Sequence, residues 1–209
     1  MKIYSRKQIY EAHKITAEKE KLPSINLMER AGGYMYEWVN ERLKGGKVPI
    51  KVFCGIGKNG GDGMVLARYL IENNYNVTTY IVNYNTKRVP DFLEAYSRLK
   101  SATKNWPIVL KEGDELPEIS PQDIVIDAIF GIGLNRAAQD WVKKLFAAIN
   151  DSKAYVLSVD IPSGMYMDLS PQEGDVIVRP RFTLSYQAPK LPFFLPATAP
   201  IMQAWDILN

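Results

Sequence analysis

The chain has 209 residues, 46% of them hydrophobic, which suits one globular α/β domain and leaves little room for a second. Its formal charge is +3 with acidic and basic residues interleaved, so neither nucleic acid nor an acidic membrane surface is required as a partner. A single cysteine excludes a disulfide framework, the first residues lack a signal-peptide apolar core, and no run approaches the roughly 20 residues of a membrane span. The expectation is a soluble, intracellular, cytoplasmic protein.

Ser5 to about Glu18 reads as a helix, with Ile9 and Ala12 on one face and Ser5 as N-cap, followed three residues later by Gln8. His13, the only histidine, sits on this polar helix and is expected to face solvent, without a role. After Pro23, Ser24 is placed to cap a second helix, whose Leu27, Met28, Ala31, Met35, Trp38 and Val39 recur at intervals of three and four, the pattern of a core or dimer face. Val48 to Cys54 reads as a buried first strand, with Cys54 a small buried hydrophobe. A glycine-rich stretch follows, then a helix with Met64, Val65, Ala67, Leu70 and Ile71 on its apolar face, and a strand from Asn76 to Val82, completing a βαβ unit. Next come a helix over Asp91 to Leu99, a short strand at Ile108 to Leu110, and a strong strand from Asp123 to Phe130 that runs into Gly131-Ile132-Gly133-Leu134-Asn135-Arg136. A helix from Gln139 to Ile149, a strand from Tyr155 to Val159, the junction Asp160-Ile161-Pro162-Ser163-Gly164, and strands at Phe182 to Tyr186 and Ala204 to Leu208 complete the chain.

The stretch Gly55-Ile56-Gly57-Lys58-Asn59-Gly60-Gly61-Asp62-Gly63 carries most of the chemical information. A strand that breaks into glycines and restarts as a helix lets the backbone approach an anion and aims free N–H groups and a positive dipole end at it. Asn59 and Asp62 add polarity that a plain phosphate cradle does not need, and suggest chemistry or a metal ion. Formally Gly55 to Gly60 fits the dinucleotide fingerprint. The acid expected at the end of the second strand is missing, however, because that strand ends in Asn83-Tyr84-Asn85. A P-loop is excluded, since Gly-Lys-[Ser/Thr] does not occur. Three strands nonetheless end in polar, glycine-bearing loops, which in an open parallel sheet gather where ligands bind.

Taken together, Leu27-Met28-Glu29-Arg30-Ala31-Gly32, Gly57 to Gly63, Asp127-Ala128-Ile129-Phe130-Gly131, Asp160 to Gly164, and Thr183 with Lys190 resemble, in order and across nearly the whole chain, the YjeF N-terminal domain family. Its enzymatic members are NAD(P)HX epimerases. The resemblance implies a Rossmann-like three-layer α/β/α sandwich with a mostly parallel central sheet, often a homodimer. It would interconvert the R and S hydrates of NADH or NADPH at C6 of the nicotinamide ring, with the choice of nucleotide left open. Carried over by motif, Lys58, Asn59, Gly60, Gly61 and Asp62, with Gly131, Ile132, Gly133, Leu134, Asn135, Arg136 and Ala137, would line the substrate site. Asn59, Asp127 and Ser163 match potassium ligands, a set of hard oxygen donors suited to a hard cation. Asp160 matches a substrate-binding acid and is the expected acid/base, with Lys190 as its electrostatic partner.

Local sequence alone also allows plainer readings: a turn cap for Asp160, a helix-start residue for Asp62, and a surface lysine for Lys190. The chain departs from the family pattern at Lys58, where an Asn is usual, at His13, where an Asp is common, at Ala137 and Asp140, and at Pro192. Lys58 would contact the pyrophosphate or point to water. Two other functions stay open: a non-catalytic assembly module, and an enzyme acting on another ADP-ribose-like metabolite. Because family members also form the N-terminal half of bifunctional repair enzymes, an NAD(P)HX dehydratase domain or separate dehydratase is an expected partner.

Overall fold

In the computed structural model, which describes residues 2–208, fourteen local elements build one sheet and the helices that cover it. Helix α1 (Arg6–Glu20) begins with the capping box read from the sequence, Ser5 and Gln8 each bonding the other's backbone. Helix α2 (Ser24–Leu43) corrects one expectation: Ser24 is its first residue rather than its cap, because Pro23 occupies the capping position. The Ser24 hydroxyl instead donates to Asp91 Oδ2 at 2.7 Å.

Strands β1 (Ile50–Cys54), β2 (Val77–Val82), β3 (Ile108–Leu110), β4 (Ile124–Ala128), β5 (Tyr155–Val159), β6 (Phe182–Tyr186) and β7 (Trp205–Leu208) form one sheet in the order β3-β2-β1-β4-β5-β6-β7. Every pairing is parallel, as the apolar, β-branched runs suggested. The chain winds outward from β1 to β3, then returns to the other side of β1 at β4, so the order reverses between β1 and β4.

Successive residues of each strand face opposite layers. Val52, Cys54, Ile126, Ala128, Leu157, Val159 and Leu184 pack against α2, α3 (Lys58–Glu72) and α4 (Pro90–Ala102). Phe53, Val125 and Val156 pack on the other side with Val142, Phe146 and Ile149 of α5 (Asp140–Asp151). The apolar stripe of α2 is therefore core, with Met28, Met35, Trp38 and Val39 buried. Cys54 is fully buried, and burial pushes its thiol pKa up, as befits an inert small hydrophobe. No helix among the described residues is long and apolar enough to cross a membrane.

Candidate functional site

Where the strand order reverses, the carboxyl ends of β1, β4, β5 and β6 open into a cleft of about 660 Å³. Its floor is the start of α3. The sequence placed Lys58 to Asp62 in a glycine loop, whereas the helix already begins at Lys58, so these residues form its first turns. Gly57 caps the helix without a side-chain bond, so no side chain at the cap takes up the first N–H groups of the helix.

Lys58, Asn59 and Asp62 line the cleft, and so does every expected residue from Gly131 to Ala137. Gly60 and Gly61 turn inward instead, the first against the Gly55 backbone and the second against Met28, where they let α3 seat closely on β1 and α2. Lys58 is committed at the rim, donating to Ser24 Oγ at 3.2 Å and facing Asp91 Oδ2 at 3.7 Å.

Asp160 follows β5 in the left-handed region, with φ 67°, a conformation unusual for a residue other than glycine. Three contacts hold it there. Its N–H donates to Leu184 O at 2.7 Å, its Oδ2 accepts from Ile132 N at 3.0 Å, and its Oδ1 lies 3.4 Å from Lys190 Nζ. Lys190 is far from a surface lysine: its side chain is 1% exposed, and its ammonium also donates to the carbonyls of Tyr186 (2.8 Å) and Ala188 (3.1 Å).

Gly131 is where Asn59 and Asp160 converge. A Cβ added there would lie 2.9 Å from Asp160 Oδ2 and 3.1 Å from Asn59 Oδ1, so a residue without a side chain allows the two groups to meet. Asn59 is buried, and neither its amide nitrogen nor its oxygen has a partner among the described residues. Asp62, half-buried in the same wall, has its carboxyl pKa raised well above the usual range. Burial is the main cause, the charges of Asp160 and Asp91 add to it, and Lys58 opposes it.

Asp127 and Ser163 lie behind the cleft rather than on its surface. Asp127 is fully buried and accepts from Ser158 Oγ (2.8 Å), Ser163 N (2.9 Å), Ile129 N (3.3 Å) and Ser163 Oγ. Burial raises its pKa while these bonds lower it, and no basic side chain among the described residues pairs with it. The register places Asp127, Ser158 and Thr183 side by side on neighbouring strands, a buried polar row in an otherwise apolar layer.

Other walls of the cleft were not expected from sequence. Ile9, Tyr10 and His13 of α1 lean over it, tied down by Arg6 Nη1 donating to the Leu134 carbonyl at 3.3 Å. His13 is thus half-buried in the site rather than facing solvent. Burial lowers its pKa more than Gln187 and Asp160 raise it, with Lys58 and Lys190 adding to the lowering. Tyr186 at the end of β6 and Gln187 just after it form a further wall. Their position at the carboxyl end of a parallel strand was the available signal; nothing local marked α1.

A reversed parallel sheet with a cleft at its switch point is the architecture of the doubly wound α/β class, which binds its ligands at that point. The model of the family described as YjeF-related protein N-terminus matches residues 24–192, and the chain belongs to that family. It is 31% identical over 195 residues to the bifunctional NAD(P)H-hydrate repair enzyme Nnr of Dictyoglomus turgidum, covering 93% of this chain and 37% of that protein. To the NAD(P)H-hydrate epimerase of Anaerococcus prevotii it is 34% identical over 163 residues, covering 75% of this chain and 72% of the other. The crystal structure of yeast YNL200c superposes with a TM-score of 0.78 at 25% identity, covering 92% of this chain and 83% of that one. The chain spans little more than a third of the length of the bifunctional relatives, 37% and 36% for those of Dictyoglomus turgidum and Thermofilum pendens.

Proposed function

We propose that this chain is an NAD(P)H-hydrate epimerase, an isomerase that interconverts the R and S hydrates of reduced nicotinamide nucleotides. The observation that carries the reading is the buried Asp160–Lys190 pair opening on a switch-point cleft beside Asp62, in a chain similar to proteins named for that activity.

The hydrate bears a hydroxyl on the ring carbon next to the ring nitrogen. Protonation of that oxygen and cleavage of the C6–O bond release water, and the nitrogen lone pair carries the resulting cation as an iminium. Water adding to the other face loses a proton and leaves the centre inverted, so protons and atoms balance over the cycle. This chemistry needs one carboxyl that holds a proton and another that accepts one. Asp62, with its raised pKa, is the donor, and Asp160, facing Lys190, is the acceptor. The charge of Asp160 is one of the causes that raise the Asp62 pKa, so the two carboxyls act in the same corner of the cleft.

Asn59, Asp127 and Ser163 would hold a potassium ion. The fit rests on the unpartnered Asn59 amide oxygen, the buried Asp127 carboxylate without a basic partner, and the all-oxygen donor set. When bound, such an ion would supply positive charge that offsets Asp127 and would tie together the start of α3, the end of β4 and the loop after β5. The same reading gives a cytoplasmic homodimer, working beside a dehydratase domain or a separate dehydratase that consumes one epimer.

The test is the rate of R to S conversion of NADHX and NADPHX, followed by chromatography. Asn tolerates the left-handed backbone of residue 160, so Asp160→Asn removes the base without backbone strain, and circular dichroism establishes that the variant is folded before turnover is compared. A loss of about 10²–10⁴-fold is expected, the usual contribution of general acid–base catalysis. Unchanged turnover removes Asp160 from the mechanism, and no acceleration by folded wild-type protein reduces the cleft to a binding site.

A further inference from the structure

Tyr186 is the last residue of β6 and belongs to none of the motif residues that suggested the activity. Its side chain packs against the core cluster that includes residues of β1, α2 and α3, and Tyr186 is also one of the residues that line the cleft. That hydroxyl is buried and has no hydrogen-bond partner among the described residues. A buried hydroxyl without a partner is unfavourable, and Tyr186 differs from the other unpartnered hydroxyls, Thr183, Ser185 and Thr198, in belonging to a residue that lines the cleft, where something bound there can complete the bond.

Its surroundings say what that something is. The charges of Asp62 and Asp160 both reach Tyr186, and these, with burial as the larger cause, raise its pKa well above the usual phenol value. The hydroxyl therefore keeps its proton and is a neutral donor. Its backbone is held in place, because the Tyr186 carbonyl accepts from Lys190 Nζ, the partner of Asp160, at 2.8 Å. The next residue, Gln187, has φ 63° and also lines the cleft, so the chain turns at the end of β6 while still bordering the site.

We propose that the Tyr186 hydroxyl hydrogen-bonds the oxygen that leaves and rejoins the reduced nicotinamide ring, holding it between the two carboxyls. The inference rests on the epimerase reading of the cleft. Asp62 and Asp160 exchange protons with that oxygen, and a fixed neutral donor beside them orients it without competing for the proton. Tyr186 is then a substrate-contacting residue whose bond is made only when the cleft is filled.

Tyr186→Phe separates this role from a structural one. Phenylalanine keeps the ring and its packing and removes an unpartnered hydroxyl, so the free protein should melt at the same temperature or higher. Epimerisation in the same variant should fall at least about tenfold in kcat/KM. A structural tyrosine gives the opposite pattern, a lowered Tm with turnover intact. Ser185→Ala is the control: it removes a neighbouring buried hydroxyl, also without a partner, from the other face of the same strand, and should turn over like wild type. Tyr186→Phe turnover within twofold of wild type overturns the proposal, as does an equal loss in Ser185→Ala. If wild-type protein does not accelerate epimerisation, the parent reading fails. If it does and Tyr186→Phe matches it, only the role of Tyr186 fails.

Discussion

Lys190→Met tests the most unusual electrostatic feature of the fold. The side chains of Lys190 and Asp160 are only 1% and 11% exposed, and the ammonium is 3.4 Å from Asp160 Oδ1. Methionine preserves much of the apolar stem while deleting the charge. It leaves Asp160 in a buried site with one backbone N–H donor, from Ile132, and strips the Tyr186 and Ala188 carbonyls of theirs. Removing one member of a buried pair costs about 3–5 kcal/mol, because the other charge stays buried and uncompensated. At about 2–4 °C per kcal/mol for a domain of this size, the melting temperature should fall by about 6–20 °C. Urea unfolding at neutral pH measures the free energy directly, with an unchanged slope showing that the folded state remains compact. Asp160→Asn combined with Lys190→Met should lose less than the two single changes together, since the double variant leaves no isolated charge. A loss for Lys190→Met below about 1 kcal/mol, the value of an exposed ion pair, would refute the argument.

Two further outcomes follow from the cleft. Potassium should raise the melting temperature by mass action, worth about 2.7 kcal/mol at a hundred times its Kd, while an equal concentration of tetramethylammonium should not. Asn59→Ala should erase the difference, and equal melting in both salts would dismiss the site. His13, the only histidine, gives an unambiguous NMR titration, and its midpoint should lie below the ordinary 6.5 because burial disfavours the imidazolium. Between that lowered midpoint and 6.5 the unfolded chain binds more protons than the folded one, so stability should rise with pH across this window. His13→Gln should flatten that rise, and a midpoint at or above 6.5 would place the imidazole in solvent instead.

Much of the sheet was legible because each strand is a short apolar run stopped by glycine or a polar turn, and those stops are local chemistry. The errors fall where a tertiary bond overrides the local pattern. Asp123 to Phe130 reads as one strand, yet β4 ends at Ala128. The Ile129 N–H is taken by the Asp127 side chain and the Phe130 N–H by Ser163 Oγ at 2.8 Å, so neither remains for the ladder. His13 was misplaced for a related reason. Helix α1 is polar overall, and what turns His13 into the cleft includes the Arg6 contact to Leu134, 128 residues away in sequence. No periodicity encodes such a contact.

The motif Leu27 to Gly32 shows why sequence likeness to an enzyme family does not by itself locate catalytic groups. None of its six residues lines the cleft. Met28 packs against Gly61, where an added Cβ would come within 2.5 Å of its Cε. Gly32 abuts Val65, whose Cγ1 would lie 2.3 Å from a Cβ on residue 32. Glu29 accepts from Arg68 at 2.5 Å and from Arg98 at 2.9 Å, joining α2 to α3 and α4 through a largely buried carboxylate. These contacts fix how far α3 slides along α2, and α3 carries Asn59 and Asp62 in its opening turns. A displacement of about 1 Å there is enough to misalign reacting groups. The motif therefore acts from one helix behind the cleft, setting the height at which α3 presents Asn59 and Asp62.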